Sequence, residues 1–159
     1  MQIAKALGCK VYGTTHKKEK VHLITDLGCE AILDPANKLP ADLYVNKILE
    51  LIGPKTLRDS LRHLCHGGIA CNTGILGGEY CLNNFDPIKE IPNGCYLTGF
   101  FSNYPTQETI DSIFAFIDKY SIIPFIGASF RFSDIKQAIK AQEKGVDGKI
   151  VVVMDSPDN

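Results

Sequence analysis

The sequence predicts an α/β fold in which a parallel sheet is covered on both faces by helices, and three observations carry that prediction. Short runs of β-branched and aromatic residues alternate with stretches whose apolar residues recur at helical spacing. The connections between them are short and end on glycines such as Gly8, Gly28 and Gly145, the residue type that most often closes a helix. With 159 residues and 45% apolar side chains, the chain has the size and composition of one ordinary domain with its own core. That domain is expected over residues 1–154, with a disordered tail over 155–159.

Gln2 to Leu7 has helical spacing and stops at Gly8, so it reads as the last turns of a helix. Lys10 to Thr15 is a short buried strand. Lys18 to Leu27 places Val21, Ile24 and Leu27 on one helical face, and Glu30 to Asp34 is a second strand halted by Pro35. Residues 35–42 are a loop, and Tyr44 to Leu51 is a third strand ended by Gly53 and Pro54. Thr56 to His66 is expected as an amphipathic helix with Leu57, Leu61 and Leu64 inward. Ile69 to Thr73 follows as a strand and runs into Gly74, Gly77 and Gly78. Residues 79–94 are mostly turn-forming, and Cys95 to Phe101 resumes as strand. Thr106 to Tyr120 carries Ile110, Ile113, Phe114 and Ile117 on one stripe, with Glu108 at the positive end of the helix dipole. Ser133 is expected as the N-cap of a last helix, with Ile135, Ala138 and Ile139 inward and Gly145 as its stop. Lys149 to Met154 closes the chain as a strand.

The net charge of −1 gives no broad field for nucleic acid or a membrane surface. A short basic run remains at Lys17, Lys18 and Lys20. No apolar stretch approaches the roughly 20 residues that cross a bilayer, and the first ten residues lack a signal-peptide pattern. A soluble, cytoplasmic protein is therefore expected. The six cysteines, Cys9, Cys29, Cys65, Cys71, Cys81 and Cys95, stand singly and read as reduced core thiols. His63 and His66 lie three residues apart, but no further ligand stands at metal spacing, and the dipole at a helix C-terminus favours histidine by itself. No metal is expected. G-x-S-x-G, Walker A and H-E-x-x-H are all absent, and no nucleophile or acid/base pair stands out.

In parallel α/β sheets, ligands bind beyond the carboxyl ends of the strands. In dinucleotide-binding sheets, the end of the second strand meets the adenosine ribose: an acid there favours NAD, and a basic residue accommodates the 2′-phosphate of NADP. Here Thr14 and Thr15 are followed by His16, Lys17, Lys18, Glu19 and Lys20, so hydroxyl, imidazole and ammonium donors stand where the carboxylate would. Two readings remain open at this point: a 2′-phosphate site and a solvated helix start. The glycines from Gly74 to Gly78 read as an ordinary turn, with close approach to a flat ring as the alternative. Phe100 and Phe101 read as core, or as an apolar wall for a ligand ring.

Taken together, the segments resemble the medium-chain dehydrogenase/reductase superfamily, in its quinone oxidoreductase and alcohol dehydrogenase-like branch. The resemblance rests on Ile3 to Thr15, Ile48 to Gly53 with Thr56 to Leu61, Gly67 to Glu79, Asn84 to Pro87 with Ile91 and Pro92, and Gly148 to Val152. It runs over nearly the whole chain and in the family's order. It implies a Rossmann-like parallel sheet flanked by helices and an NADPH-dependent oxidoreductase of quinones or related carbonyl compounds. By position it implies 2′-phosphate contacts from Thr15, His16 and Lys20 and adenosine-side packing at Gly53. It further implies nicotinamide-side contacts near Thr73, Gly74, Leu76, Phe100 and Phe101, and no zinc. The family more often has Arg where this chain has His16.

Family members carry a first strand and a glycine-rich phosphate turn ahead of the segment that starts here at Gln2, and a GroES-like catalytic domain ahead of that. The resemblance thus implies a cofactor-domain part that lacks the first, central strand and the glycine-rich loop, with little or no activity alone. In the usual strand order, 3-2-1-4-5-6, such a sheet is interrupted at its centre. Its unpaired edges need re-pairing within the chain, a second copy of the chain, or a separate N-terminal domain. Two functions compete on this footing: part of an NADPH-dependent reductase, usually a homodimer or tetramer, and a non-enzymatic α/β self-association module. A methyltransferase-like nucleotide binder fits less well, because that class ends the corresponding strand with an acid.

Overall fold

The computed structural model describes residues 1–154, so the expected tail over 155–159 lies outside the described residues. The chain divides into two compact units, Met1–Thr109 and a second from Ile110 onward. Every strand pairing in both is parallel, as the alternation of strand and helix requires.

The first unit enters on α1 (Gln2–Ala6) and continues with β1 (Tyr12–Thr15), a 3-10 turn (Lys18–Lys20), α2 (Val21–Thr25) and β2 (Glu30–Leu33). β1 and β2 pair from Tyr12 opposite Glu30 to Thr15 opposite Leu33. β3 (Val45–Glu50), α3 (Pro54–Arg62), β4 (Leu64–Asn72), α4 (Pro87–Glu90) and β5 (Tyr96–Gly99) follow, with the strands in the order β3-β4-β5. Among the described residues, β1 and β3 each pair on one side only. In the 3-2-1-4-5-6 order, β2, β1, β3, β4 and β5 stand as strands 3, 2, 4, 5 and 6, and the described residues supply no central strand.

The core of this unit is the cluster of Leu57, Leu61, Leu64 and Ala70, against which Ile48, Phe85, Ile91 and Leu97 pack. Leu61 is fully buried, which at the usual rate contributes about 2 kcal/mol. Leu57, Leu61 and Leu64 all face this core, yet Leu64 does so from a strand. The helix expected over Thr56 to His66 instead starts at Pro54 and ends at Arg62. Pro54 suits the first helical position because its missing N–H would have no partner there. Leu64 pairs with Val45, and the ladder resumes at Ile69 opposite Lys47, so residues 65–68 form a bulge. His63 and His66 are therefore not neighbours on one helix: His63 caps α3, and His66 lies in β4.

The segment expected to be mostly turn contains α4, capped by Asp86, whose side chain accepts a 3.1 Å hydrogen bond from Ile88 N. Of the six cysteines only Cys29 is buried, and Cys9 and Cys81 are exposed, which corrects the reading of all six as core thiols.

The second unit holds α5 (Gln107–Lys119), β6 (Ile126–Arg131), a 3-10 turn (Phe132–Asp134), α6 (Ile135–Lys144) and β7 (Lys149–Val153), with β6 paired to β7. β6 is a strand that the reading by periodicity omits. Ser133 lies inside the 3-10 turn, and Asp134 is the N-cap of α6, with no side-chain cap bond. Ala138 is buried but Ile139 is 54% exposed, so the inward face of α6 is narrower than expected. Glu108 does stand in the first turn of α5, and Gly145 does end α6. Among the described residues, no helix is long and apolar enough to cross a membrane.

Candidate functional site

The carboxyl end of the β3-β4-β5 sheet is organised by a buried carboxylate. Glu50, the last residue of β3, is 5% exposed and accepts hydrogen bonds from four donors. Its Oε1 accepts from Ile52 N at 2.8 Å, Gly53 N at 3.2 Å and Thr56 Oγ1 at 2.9 Å, and its Oε2 accepts from Ser60 Oγ at 2.6 Å. Gly53, the N-cap of α3, has no side chain to cap the helix. Glu50 instead takes the N–H groups of Ile52 and Gly53 in the turn ahead of α3, and a carboxylate there suits the positive end of the helix dipole.

The turn after β4 is zipped to the turn after β3. Thr73 N and Gly74 N donate to Glu50 O, Leu76 N donates to Leu51 O, and Gly77 N donates to Ile52 O. This closeness needs glycine on both sides. A Cβ on Gly53 would stand 2.7 Å from Gly74 O, at a φ of +92° that also disfavours other residues, and a Cβ on Gly74 would run into Leu51 O. Asn72 O accepts from Phe100 N at 3.0 Å, which ties the exit of β5 to the same sheet end. The Asn72 Oδ1 atom is buried there without a hydrogen-bond partner.

The carboxyl end of the β1-β2 sheet carries the second group. Thr15 ends β1; its carbonyl accepts from Asp34 N at 2.9 Å, and its Oγ1 accepts from Lys17 N at 3.2 Å. His16 follows with its side chain 58% exposed, and Lys20 ends the 3-10 turn. Behind His16 lies Asp34, 8% exposed, with Oδ1 3.8 Å from His16 Nδ1 and without a hydrogen bond. Burial raises the Asp34 pKa, and the neighbouring His16 opposes that shift.

All nine residues singled out in the sequence thus follow strand ends or the turns after them, in two groups on two sheets. Thr15, His16 and Lys20 stand at one; Gly53, Thr73, Gly74, Leu76, Phe100 and Phe101 stand at the other. Thr73, Gly74 and Leu76 donate hydrogen bonds that zip the two turns together, and Gly53 lies close against Gly74 O. Leu76 is 77% exposed, Phe100 62% and Phe101 83%, so none of them is core.

Pattern reading missed Glu50 and the Asp34–His16 pair. Glu50 had one legible signal, an acid directly ahead of a Gly-Pro turn with hydroxyls at Thr56 and Ser60 on the following helix. Among the described residues, no group of three His, Cys, Asp or Glu side chains is placed to hold a metal ion.

A model of the zinc-binding dehydrogenase family matches residues 1–119. No curated protein matches by sequence. Among solved structures, an NAD-dependent alcohol dehydrogenase superposes with a TM-score of 0.77 at 17% identity, over 95% of this chain and 46% of its own. A mycobacterial quinone oxidoreductase matches with 0.77 at 22%, over 94% and 50%, and the Escherichia coli K-12 YhdH protein with bound NADPH with 0.70 at 17%, over 95% and 49%. The chain spans about half the length of these structures, and at such identities the likeness shows the fold, an α/β arrangement of the kind that forms their Rossmann-type cofactor domains. With three quarters of its length matched by the family model, the chain belongs to the zinc-binding dehydrogenase family.

Proposed function

We propose that the chain is the cofactor-binding part of an NADPH-dependent oxidoreductase acting on quinones or related carbonyl compounds in the cytoplasm. The observation that carries this reading is the pair of sheet ends just described. One offers a hydroxyl, an imidazole and an ammonium group around Thr15, His16 and Lys20; the other offers two hydrogen-bonded turns that meet closely at Gly53 and Gly74. The first suits a ribose 2′-phosphate. The second brings backbone close to whatever lies over it, as a flat ring requires. Bound nicotinamide would supply the hydride. The protein's part is then to hold the two ends of the dinucleotide, with Thr73, Gly74, Leu76, Phe100 and Phe101 bordering the ring. The NADPH-bound and NAD-dependent neighbours support a nicotinamide cofactor and leave the 2′-phosphate to this chain's own residues.

Titration of the chain with NADPH, followed by nicotinamide fluorescence, tests the reading. Saturable binding supports it, and turnover of a quinone would add activity to binding. No binding up to millimolar concentration would overturn it.

The interrupted sheet favours an assembly as well. Among the described residues, β1 and β3 keep unpaired edges, and β5 ends the three-stranded sheet with Tyr96 61% exposed. Such edges recruit further strands, from a second copy of this chain or from a separate N-terminal catalytic domain. Light scattering that finds a strict monomer at high concentration would exclude the homodimer.

A further inference from the structure

Asp34 and His16 form a contact that the sheet does not need. Asp34 directly follows β2 and His16 directly follows β1, and the paired strands bring the two side chains to the same sheet end. The Asp34 side chain is 11% exposed, and its Oδ1 accepts no hydrogen bond. A buried carboxylate oxygen without a donor is costly and is seldom kept without a use. The Nδ1 of His16 lies 3.8 Å from it, beyond hydrogen-bond range. The ring is 58% exposed and has room to turn. Once Nδ1–H points at Asp34, the other ring nitrogen is left for a ligand.

We propose that Asp34 is the positioning residue for nucleotide selectivity at this site: it orients the His16 imidazolium so that Nδ1–H meets the buried carboxylate and Nε2–H meets a phosphate monoester on the ligand. This rests on the cofactor reading above and deepens it. The recognised group is the 2′-phosphate of an adenosine ribose. Asp34 touches no ligand and acts through His16. An imidazolium has two N–H donors and no acceptor, so it is complete only with an acceptor on each side. A ligand with a 2′-hydroxyl in place of the phosphate offers no charge to complete the pair and gains less from it. The same geometry explains how a histidine serves at a position where arginine is commoner: the buried acid supplies the orientation that a guanidinium fork has built in.

The test compares NADPH with NADH, which differ by that one phosphate, on the full chain carrying Asp34→Asn, His16→Gln or both. The ratio of the two affinities cancels any loss of folded protein. The wild-type chain should prefer NADPH, and each single substitution should reduce that preference by about tenfold, the size expected for one charge-assisted hydrogen bond. The double substitution should cost no more than either single one, because the two side chains act as one unit. A preference unchanged by Asp34→Asn, or two losses that simply add, would overturn the assignment and leave the cofactor reading standing. A wild-type preference for NADH would overturn the assignment together with the NADPH part of the cofactor reading, and leave only nicotinamide binding. A chain that binds neither nucleotide would overturn the cofactor reading and this assignment with it.

Discussion

Ser60 Oγ donates a 2.6 Å hydrogen bond to Glu50 Oε2, so the second turn of α3 is fastened to the last residue of β3 in the interior of the first unit. The same carboxylate takes the N–H groups of Ile52 and Gly53, so one side chain sets the angle at which the chain leaves β3 and enters α3. Replacing it with leucine fits the volume but leaves two backbone donors and the Ser60 hydroxyl without an acceptor, and the Thr56 hydroxyl with only Gly53 O at 3.4 Å. We expect Glu50→Leu to cost about 3 kcal/mol, the range for several buried groups left unpaired. Glu50→Gln, which keeps one oxygen, should cost less. Urea denaturation of the three proteins checks the order.

The two turns at the same sheet end meet through Gly74, where any Cβ runs into Leu51 O. Gly74→Ala must push the turns apart. It should lower stability by more than 1 kcal/mol and weaken nucleotide binding by at least about tenfold. Gly99→Ala is the control: at the end of β5 the nearest atom to a new Cβ is Asn72 O at 3.9 Å, ordinary contact. Its effect should stay within about 0.5 kcal/mol. Equal effects of the two substitutions would contradict the close approach as the reason for Gly74.

How far such features are legible in sequence depends on whether their cause is local. The parallel βαβ order follows from the periodicity of stretches such as Leu57 to Leu64 and from the stops at Gly8, Gly28 and Gly145, all causes within a few residues of their effects. Periodicity starts α3 two residues late, because Gly53-Pro54 reads as the stop of a strand while Pro54 is in fact the first helical residue. Leu64 was read as helix because its spacing from Leu61 suits a helix, and only the pairing with Val45 makes it strand. Ile126 to Arg131 holds a glycine and alternates only weakly in burial, so its strand character comes from its partner β7. The candidate site divides in the same way. The residues after each strand end were legible from parallel topology, whereas the Asp34–His16 pair depends on which two strands lie side by side.

Arg58 fastens the loop before α4 to α3. Its guanidinium pairs with Glu90 and donates from Nη2 to Asn83 O at 2.7 Å and Asn84 O at 3.1 Å. The hydrogen bond from Arg58, with that from Asp86 N, holds the Glu90 carboxyl below its usual pKa. A lowered carboxylate pKa means that this stability is present above the ordinary Glu range and is lost as pH falls through the folded-state value. Arg58→Met should therefore loosen residues 83–90 most at neutral pH and less in acid, where only the bonds to Asn83 O and Asn84 O remain to be lost. Limited proteolysis along a falling pH series reads this directly. The expected result is faster cleavage between Leu82 and Glu90 in the variant, by a margin that shrinks as pH falls.

Asp34 carries a stability consequence of opposite sign. Burial raises its pKa, so the folded state favours the protonated acid more than the unfolded chain does, and ionisation costs stability. The contribution from Asp34 is therefore fully favourable below the unfolded pKa and is lost as pH rises through the folded one. Asp59, whose charge also raises the Asp34 pKa, adds to the effect, and His16 offsets part of it. Asp34→Asn, which cannot ionise, should unfold about 2–4 °C higher than the wild type at pH 7, as about 1 kcal/mol gives for a chain of this size. The gain should vanish below pH 4, where both proteins are neutral at this position. Thermal melts at the two pH values decide it, and a variant less stable than the wild type at pH 7 would mean that the carboxylate is satisfied by its surroundings. A buried acid that lowers stability near neutral pH, next to an exposed imidazole, is the mark of a group kept for binding and not for folding.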